Sequence, residues 1–152
     1  MTAYLVRHAK AGDRADWQGD DRLRPLSKPG RRQAEDLVSL LEDAQIAAVL
    51  SSPYRRCIET VEPLARHLGL AVQTEDDLAE GAGATGLMGV IRRHAGSSAA
   101  LCTHGDVLEE FLELLIGQGI VARAGARLEK GSTWVVREDS GRIVEARYIP
   151  AP

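Results

Sequence analysis

Met1-Thr-Ala-Tyr-Leu-Val-Arg-His-Ala-Lys10 decides how the rest of the chain is read. Tyr4-Leu5-Val6 is a short apolar run of the kind that forms a buried strand. Arg7-His8 follows where that strand should end. In open α/β sheets, ligands bind beyond the carboxyl ends of the strands. An arginine and a histidine therefore stand side by side where such a fold does its chemistry.

Three further strand-to-helix passages extend this pattern. Ile46–Leu50 is a second buried strand, ending in Ser51-Ser52-Pro53, a cap-and-proline signal for a helix. That helix carries Tyr54, Cys57, Ile58, Val61, Leu64, Ala65 and Leu68, with Gly69 as its stop. Leu70–Thr74 is a third strand, followed by the acidic loop Asp76-Asp77-Leu78-Ala79-Glu80-Gly81. Ala84–Ala95 reads as a short helix with Leu87, Met88, Val90 and Ile91 inward. Ala99–Cys102 is a fourth strand, with Thr103-His104-Gly105-Asp106 after it. Val107, Leu108, Phe111, Leu112, Leu115 and Ile116 make the next helix, closed by Gly117.

Between the first strand and the second, Ala11–Arg24 is a polar loop, long enough to suggest a function, with Trp17 as its one large apolar anchor. Ser27 is the N-cap of the helix that follows, with Pro29 in its first turn, and Ala34, Leu37, Val38 and Leu41 form its buried stripe. Thr133–Val136 and Ile143–Ile149 are strands joined by the turn signal Asp139-Ser-Gly-Arg142. Strands alternating with helices predict an α/β three-layer sandwich: a mostly parallel central sheet with an antiparallel edge, and helices on both faces.

A chain of 152 residues fits one domain over residues 1–152, with no repeat or linker to divide it. A net charge of −3 argues against a general nucleic-acid or anionic-membrane binder. No apolar run nears the roughly 18 residues of a membrane helix. The first strand begins almost at Met1, which leaves no room for a signal peptide, so a cytoplasmic location is expected. Cys57 and Cys102 lie in apolar patterns without Cys-x-x-Cys spacing and read as reduced core thiols.

Parallel strands aim their carboxyl ends the same way, so Arg7-His8, the Ser52–Arg56 stretch and Thr103–Gly105 should converge. Helix N-termini at that edge present free backbone N–H groups. The ligand inferred from this combination is phosphate.

Leu5-Val-Arg-His-Ala9, Ser52-Pro-Tyr-Arg-Arg-Cys-Ile-Glu-Thr60, Leu78-Ala-Glu-Gly81 and Thr103-His-Gly105 together resemble the four signatures of the histidine phosphatase superfamily. They run from residue 5 to residue 105, in the family's order. The family includes cofactor-dependent phosphoglycerate mutases and bacterial phosphohistidine phosphatases, and the resemblance implies a phosphoglycerate mutase-like fold. It implies a phosphatase acting through a covalent phosphohistidine on His8, with no cofactor and no metal. Arg7 and Arg56 would clamp the phosphoryl oxygens through planar forks. His104 would add a donor and the Gly105 N–H a backbone contact. Glu80 would protonate the leaving oxygen and then activate water.

Alternatives stand beside these assignments. Arg55 competes with Arg56, although the Ser-x-x-x-Arg spacing counted from Ser52 falls on Arg56. Glu75, Asp76 and Asp77 compete with Glu80 as proton donor. Lys10, His67, His94, Arg92 and Arg93 read as surface residues. The family's Arg-His-Gly is Arg7-His8-Ala9 here, which would put a methyl group near the pocket. Similar Arg-His-Ala starts, and stretches like Gly19–Gly30, occur in phosphohistidine-phosphatase-like members and in domains appended to some Nudix hydrolases.

The substrate expected is a phosphorylated small molecule or phosphoprotein, with no nucleic acid and no membrane as partners. Nineteen residues separate Thr60 from Glu80, too few for a large cap, so a shallow site is expected. The alternatives are a non-catalytic phosphate-binding module and a phosphoglycerate mutase-type phosphotransferase. A metal hydrolase built on His104-x-Asp106 lacks a third ligand at recognisable spacing.

Overall fold

The computed structural model describes residues 1–152. Its elements are β1 (Thr2–Arg7), α1 (Lys28–Leu41), β2 (Ala48–Ser51), α2 (Arg55–Leu68), β3 (Val72–Thr74), α3 (Gly83–Arg93), β4 (Ala99–Thr103), α4 (Gly105–Gly117), β5 (Thr133–Asp139) and β6 (Arg142–Ile149). Six strands form one sheet in the order β3-β2-β4-β1-β5-β6. The first four run parallel, and β5 and β6 add an antiparallel edge.

Side chains along each strand alternate between the two faces of the sheet, and helices cover both faces of its central strands. On one face Leu5, Leu50 and Leu101 pack with Leu87, Ile91, Leu108 and Phe111 of α3 and α4. On the other, Val6, Val49 and Ala100 pack with Leu37, Leu41, Val61 and Leu64 of α1 and α2. Cys57 and Cys102 are free, buried thiols on this second face.

The helix starts divide into one that matches the sequence reading and one that does not. The Ser27 hydroxyl caps α1 by accepting from Gly30 N at 3.2 Å. At α2 the expected serine cap is absent: the cap residue is Tyr54, with no side-chain bond. Ser52 lies two residues earlier, and its hydroxyl serves Tyr54 N and His104 instead. Gly69 ends α2 at φ +70°, a left-handed stop that favours glycine. Beyond α4 the left-handed residue is Gly119 rather than Gly117. The strands run further than their apolar cores at several ends, since β1 includes Arg7, β4 includes Thr103 and β5 reaches Asp139. Ser140 and Gly141, both at positive φ, make the hairpin turn.

Two 3₁₀ turns, Arg14–Asp16 and Asp21–Leu23, give the long loop after β1 a defined path. An isolated bridge pairs Ala11 with Leu26. Trp17 helps fold the loop on itself by donating to the Asp20 carbonyl at 2.8 Å. No helix is long and apolar enough to cross a membrane.

Candidate functional site

The carboxyl ends of β1, β2 and β4 lie side by side and open on one cavity of about 600 Å³. Its lining is almost wholly polar and includes Arg7, His8, Arg56, Glu80, His104 and Gly105.

His8 follows β1 directly. Its backbone N–H continues the parallel ladder by donating to Thr103 O at 3.1 Å, and its carbonyl accepts from Gly131 N. The residue is 8% exposed. Nδ1 lies 2.8 Å from the Ala9 carbonyl oxygen. A carbonyl can only accept, so Nδ1 carries the proton and Nε2 keeps its lone pair. Burial takes the pKa of His8 down to about 3, with His104, Arg56 and Arg7 acting in the same direction against the bond to Ala9. The imidazole is therefore neutral at ordinary pH, as a nitrogen nucleophile must be.

Arg7 donates from Nη1 to the Leu128 carbonyl at 2.7 Å. Its guanidinium lies against Gly105 so closely that a Cβ there would stand 2.7 Å from Nη2. The glycine that opens α4 makes room for the arginine.

Arg56 sits in the first turn of α2 and is 1% exposed. It donates from Nη1 to the Asp21 backbone oxygen at 2.9 Å and from Nη2 to Asp21 Oδ2 at 3.1 Å. Its Cζ lies 4.9 Å from the centre of the Tyr54 ring. Thr60, one turn along α2, donates to the Arg56 carbonyl at 2.7 Å and accepts from Ala9 N at 2.9 Å. That link locks the start of α2 to the segment that carries His8.

His104 stands between β4 and α4, with its ring edge-on to His8 at 5.5 Å between centroids. Ser52 Oγ is 2.8 Å from His104 Nε2 and accepts from Tyr54 N at 3.2 Å. This contact engages His104 Nε2, the ring nitrogen on the Ser52 side. Arg7 Nε, Arg56 Nε and His104 Nδ1 are all buried without a hydrogen-bond partner. Buried polar nitrogens of this kind normally find partners. All three belong to residues that line the cavity with His8, and the two guanidinium nitrogens are donors of the kind an anion satisfies.

Glu80 reaches the cavity from the loop after β3. Gly81 N donates to Asp106 Oδ2 at 2.8 Å, and Thr103 Oγ1 donates to the Leu78 carbonyl at 2.7 Å, which holds this loop against β4 and α4. The Glu80 carboxylate meets Arg14 Nη2 at 2.9 Å and Arg56 Nη2 at 3.5 Å.

The remaining candidates fall outside the cavity. Arg55 is exposed and paired with Glu59 at 3.1 Å. Glu75 and Asp77 pair with Arg93 instead of facing the site. Arg92 donates to the Gly141 carbonyl. His67 lies near Glu42 and His94 near Glu75. The Lys10 backbone N–H, not its side chain, has a defined role, donating to Gln33. Ala9 corrects an expectation: its methyl group is fully buried with Leu26 and Ala34, away from the cavity lining. A glycine-to-alanine difference at this position therefore leaves the pocket's shape alone. No group of three or more His, Cys, Asp and Glu side chains converges in a way that could hold a metal ion.

Comparison with known proteins gives the family. The family model of the histidine phosphatase superfamily (branch 1) matches residues 3–85. The chain belongs to that superfamily. It is 36% identical over 156 residues to an 8-oxo-(d)GTP phosphatase of Mycolicibacterium smegmatis, an alignment covering 99% of this chain and 48% of the relative. The chain thus spans about half the length of that curated relative. Its fold is similar to that of SixA from Agrobacterium tumefaciens, with a TM-score of 0.78 and 24% identity over 99% of this chain and 98% of the other. A structure of the protein histidine phosphatase SixA complexed with tungstate gives the same TM-score of 0.78 at 18% identity, covering 98% of this chain and 94% of that one.

Around this cavity, Arg14, Asp21, Arg24, Glu109 and Lys130 were not singled out from sequence, although all but Asp21 line it. The length of the Ala11–Arg24 loop was a general signal for the first three. Nothing local pointed to Lys130, which the segment before β5 brings in from far along the chain.

Proposed function

We propose that this chain is a phosphatase that hydrolyses phosphate monoesters or phosphohistidine through a covalent phosphohistidine on His8. The observation that carries this reading is a neutral His8, its Nε2 lone pair free, surrounded by three residues that each keep one buried nitrogen without a partner. In the first step Nε2 attacks phosphorus, the new N–P bond forms and the bond from phosphorus to the leaving atom breaks, that atom being the oxygen of an ester or the ring nitrogen of a phosphohistidine. Arg7, Arg56 and His104 hold the phosphoryl oxygens in line and stabilise their transition-state charge. Glu80, once protonated, gives its proton to that leaving atom. In the second step Glu80 takes a proton from water, the water oxygen attacks phosphorus, and the N–P bond breaks to release inorganic phosphate and free His8.

The openness of the site bears on substrate. Only α2 and the short β3 lie between Thr60 and the Glu80 loop. This supports a phosphorylated side chain or a range of small esters over a mutase, which must retain and reorient an intermediate. The relatives support phosphatase chemistry in general terms, since one is an 8-oxo-(d)GTP phosphatase of about twice this length.

The test is rapid-quench labelling with a panel of phosphorylated donors, phosphohistidine proteins included, in excess chelator. Acid-labile phosphate on His8, lost in His8→Ala, is the expected result. Phosphate binding without labelling or turnover would make the chain a binding module. Activity that disappears with chelator and returns with metal would reject the mechanism, and efficient phosphoglycerate interconversion would reverse the ranking against a mutase.

A further inference from the structure

The loop between β1 and α1 carries charges that the steps above do not use, and Asp21 is their centre. Asp21 Oδ1 accepts from Arg24 Nε at 2.8 Å, and Oδ2 accepts from Arg56 Nη2 at 3.1 Å. The Asp21 backbone oxygen accepts from Arg56 Nη1 at 2.9 Å. Arg14 Nη2 stands 3.7 Å from Oδ2. One residue therefore occupies both terminal nitrogens of the buried Arg56 fork, leaving Nε as the nitrogen without a partner. Arg24 is itself buried, and its Nη1 donates to the Gly12 carbonyl, so the carboxylate is anchored to its own loop.

A guanidinium at 1% exposure cannot rely on water to fix its orientation. Without the Asp21 carboxylate, the nearest anion for Arg56 Nη2 is Glu80, at 3.5 Å. An Arg56 drawn that way would leave the phosphoryl position and further occupy the proton donor.

We propose that Asp21 is a positioning residue for phosphoryl transfer: its two bonds fix the orientation of the Arg56 guanidinium in the cavity that His8 lines and hold its approach to Glu80 at 3.5 Å. The inference rests on the phosphatase reading above. It competes with a simpler role in which Asp21 merely balances positive charge. The two roles predict opposite signs. A charge balancer repels phosphate, so its removal tightens phosphate binding, whereas loss of a positioning residue weakens it.

The test compares the full chain with Asp21→Ala and Asp21→Asn. Inorganic phosphate affinity is measured by calorimetry, and turnover is measured on an aryl and an alkyl phosphate. A group displaced by about 1 Å can cost roughly 10²-fold. Asp21→Ala should therefore lower kcat/KM by about that factor on both esters alike and weaken phosphate binding by about tenfold or more. Asp21→Asn, which keeps an acceptor but not the charge, should fall between. Circular dichroism and the thermal midpoint separate these effects from unfolding, and Asp21→Asn carries the test if Asp21→Ala does not fold. Phosphate binding that is unchanged or tighter in the variants overturns the proposal. So does a loss confined to the alkyl ester, which would place Asp21 with Glu80 and proton donation. If the wild-type chain hydrolyses no ester and His8 is never labelled, the phosphatase reading falls, while the phosphate affinities still decide what Asp21 does to Arg56.

Discussion

The floor and the rim of the cavity are built from different material. His8, Arg56 and His104 on the floor are at most 8% exposed, and backbone carbonyls, Asp21 and Ser52 hold their side chains. On the rim, the Arg14 side chain is 63% exposed, that of Glu80 is 33% exposed, and Glu109 and Lys130 are open to solvent. Electrostatic contacts on a buried floor are strong because little water competes. Contacts at an exposed rim are screened and individually weak. On the proposed reading, the floor holds the phosphoryl group, Glu80 at the rim exchanges the proton, and the other rim charges meet whatever carries that group.

Substitutions can break this division or sharpen it. The largest effect is expected at His8: His8→Ala should lower turnover by at least about 10³-fold on every substrate, measured by phosphate release, because the attacking atom itself is gone. A residual rate similar to wild type on any ester would break the scheme. Glu80→Gln should cost roughly 10²–10⁴-fold on an alkyl phosphate. Its effect should be visibly smaller on an aryl phosphate, whose leaving oxygen needs less help from a proton. Equal losses on both would move Glu80 from proton transfer to the floor's work of holding the phosphoryl group.

Gly105→Ala probes the floor's packing, since the new methyl group would press on a guanidinium held at its far side by the Leu128 carbonyl. A displacement well below 1 Å should cost about tenfold in kcat/KM, with the thermal midpoint nearly unchanged. A tenfold loss of stability without a kinetic change would make Gly105 a purely structural glycine.

The floor should also leave a mark on acid stability. The pKa of His8 falls from 6.5 to about 3 on folding. Above pH 6.5 the group is neutral in both states and contributes no pH dependence. As pH drops through 6.5 toward 3, the unfolded chain takes up a proton that the folded chain refuses, so stability falls across that window. Replacing His8 with Asn should flatten the fall in denaturant midpoint between those pH values, and an identical pH profile in the variant would contradict a buried neutral histidine. The smallest effect belongs to the hairpin at the far edge of the sheet. Arg137 and Glu145 form an exposed pair at 3.1 Å, and Arg137→Ala should change stability by less than about 1 kcal/mol with no change in turnover.

Much of this architecture was legible from local patterns. Apolar runs of three to five residues marked the parallel strands, and β2 and β4, covered on both faces, show no polar side. The stripe of Ala34, Leu37, Val38 and Leu41 marked a helix with one buried face. His8, Arg56, Glu80 and His104 were each visible beside a strand end or on the loop after one, and the structure brings all four around one cavity. The readings that missed had a common cause. Ser52 looked like a helix cap because serine before proline is a frequent cap signal, but its hydroxyl is taken by a histidine fifty-two positions away. Ala9 looked like an intruder in the pocket, but its direction depends on the packing of Leu26 and Ala34.

Local sequence thus determined the order of strands and helices, the switch to an antiparallel hairpin and the residue types available at each strand end. Hydrophobic periodicity and turn chemistry act over a few residues and need no distant partner to be read. Tertiary structure decided which of those residues come together: that Arg56 is gripped by Asp21, that Ser52 engages His104 Nε2, and that Arg14 covers the Glu80 carboxylate. Those outcomes depend on loops closing across the end of a sheet, where a hydrogen-bond partner is set by geometry in space and leaves no periodic trace along the chain.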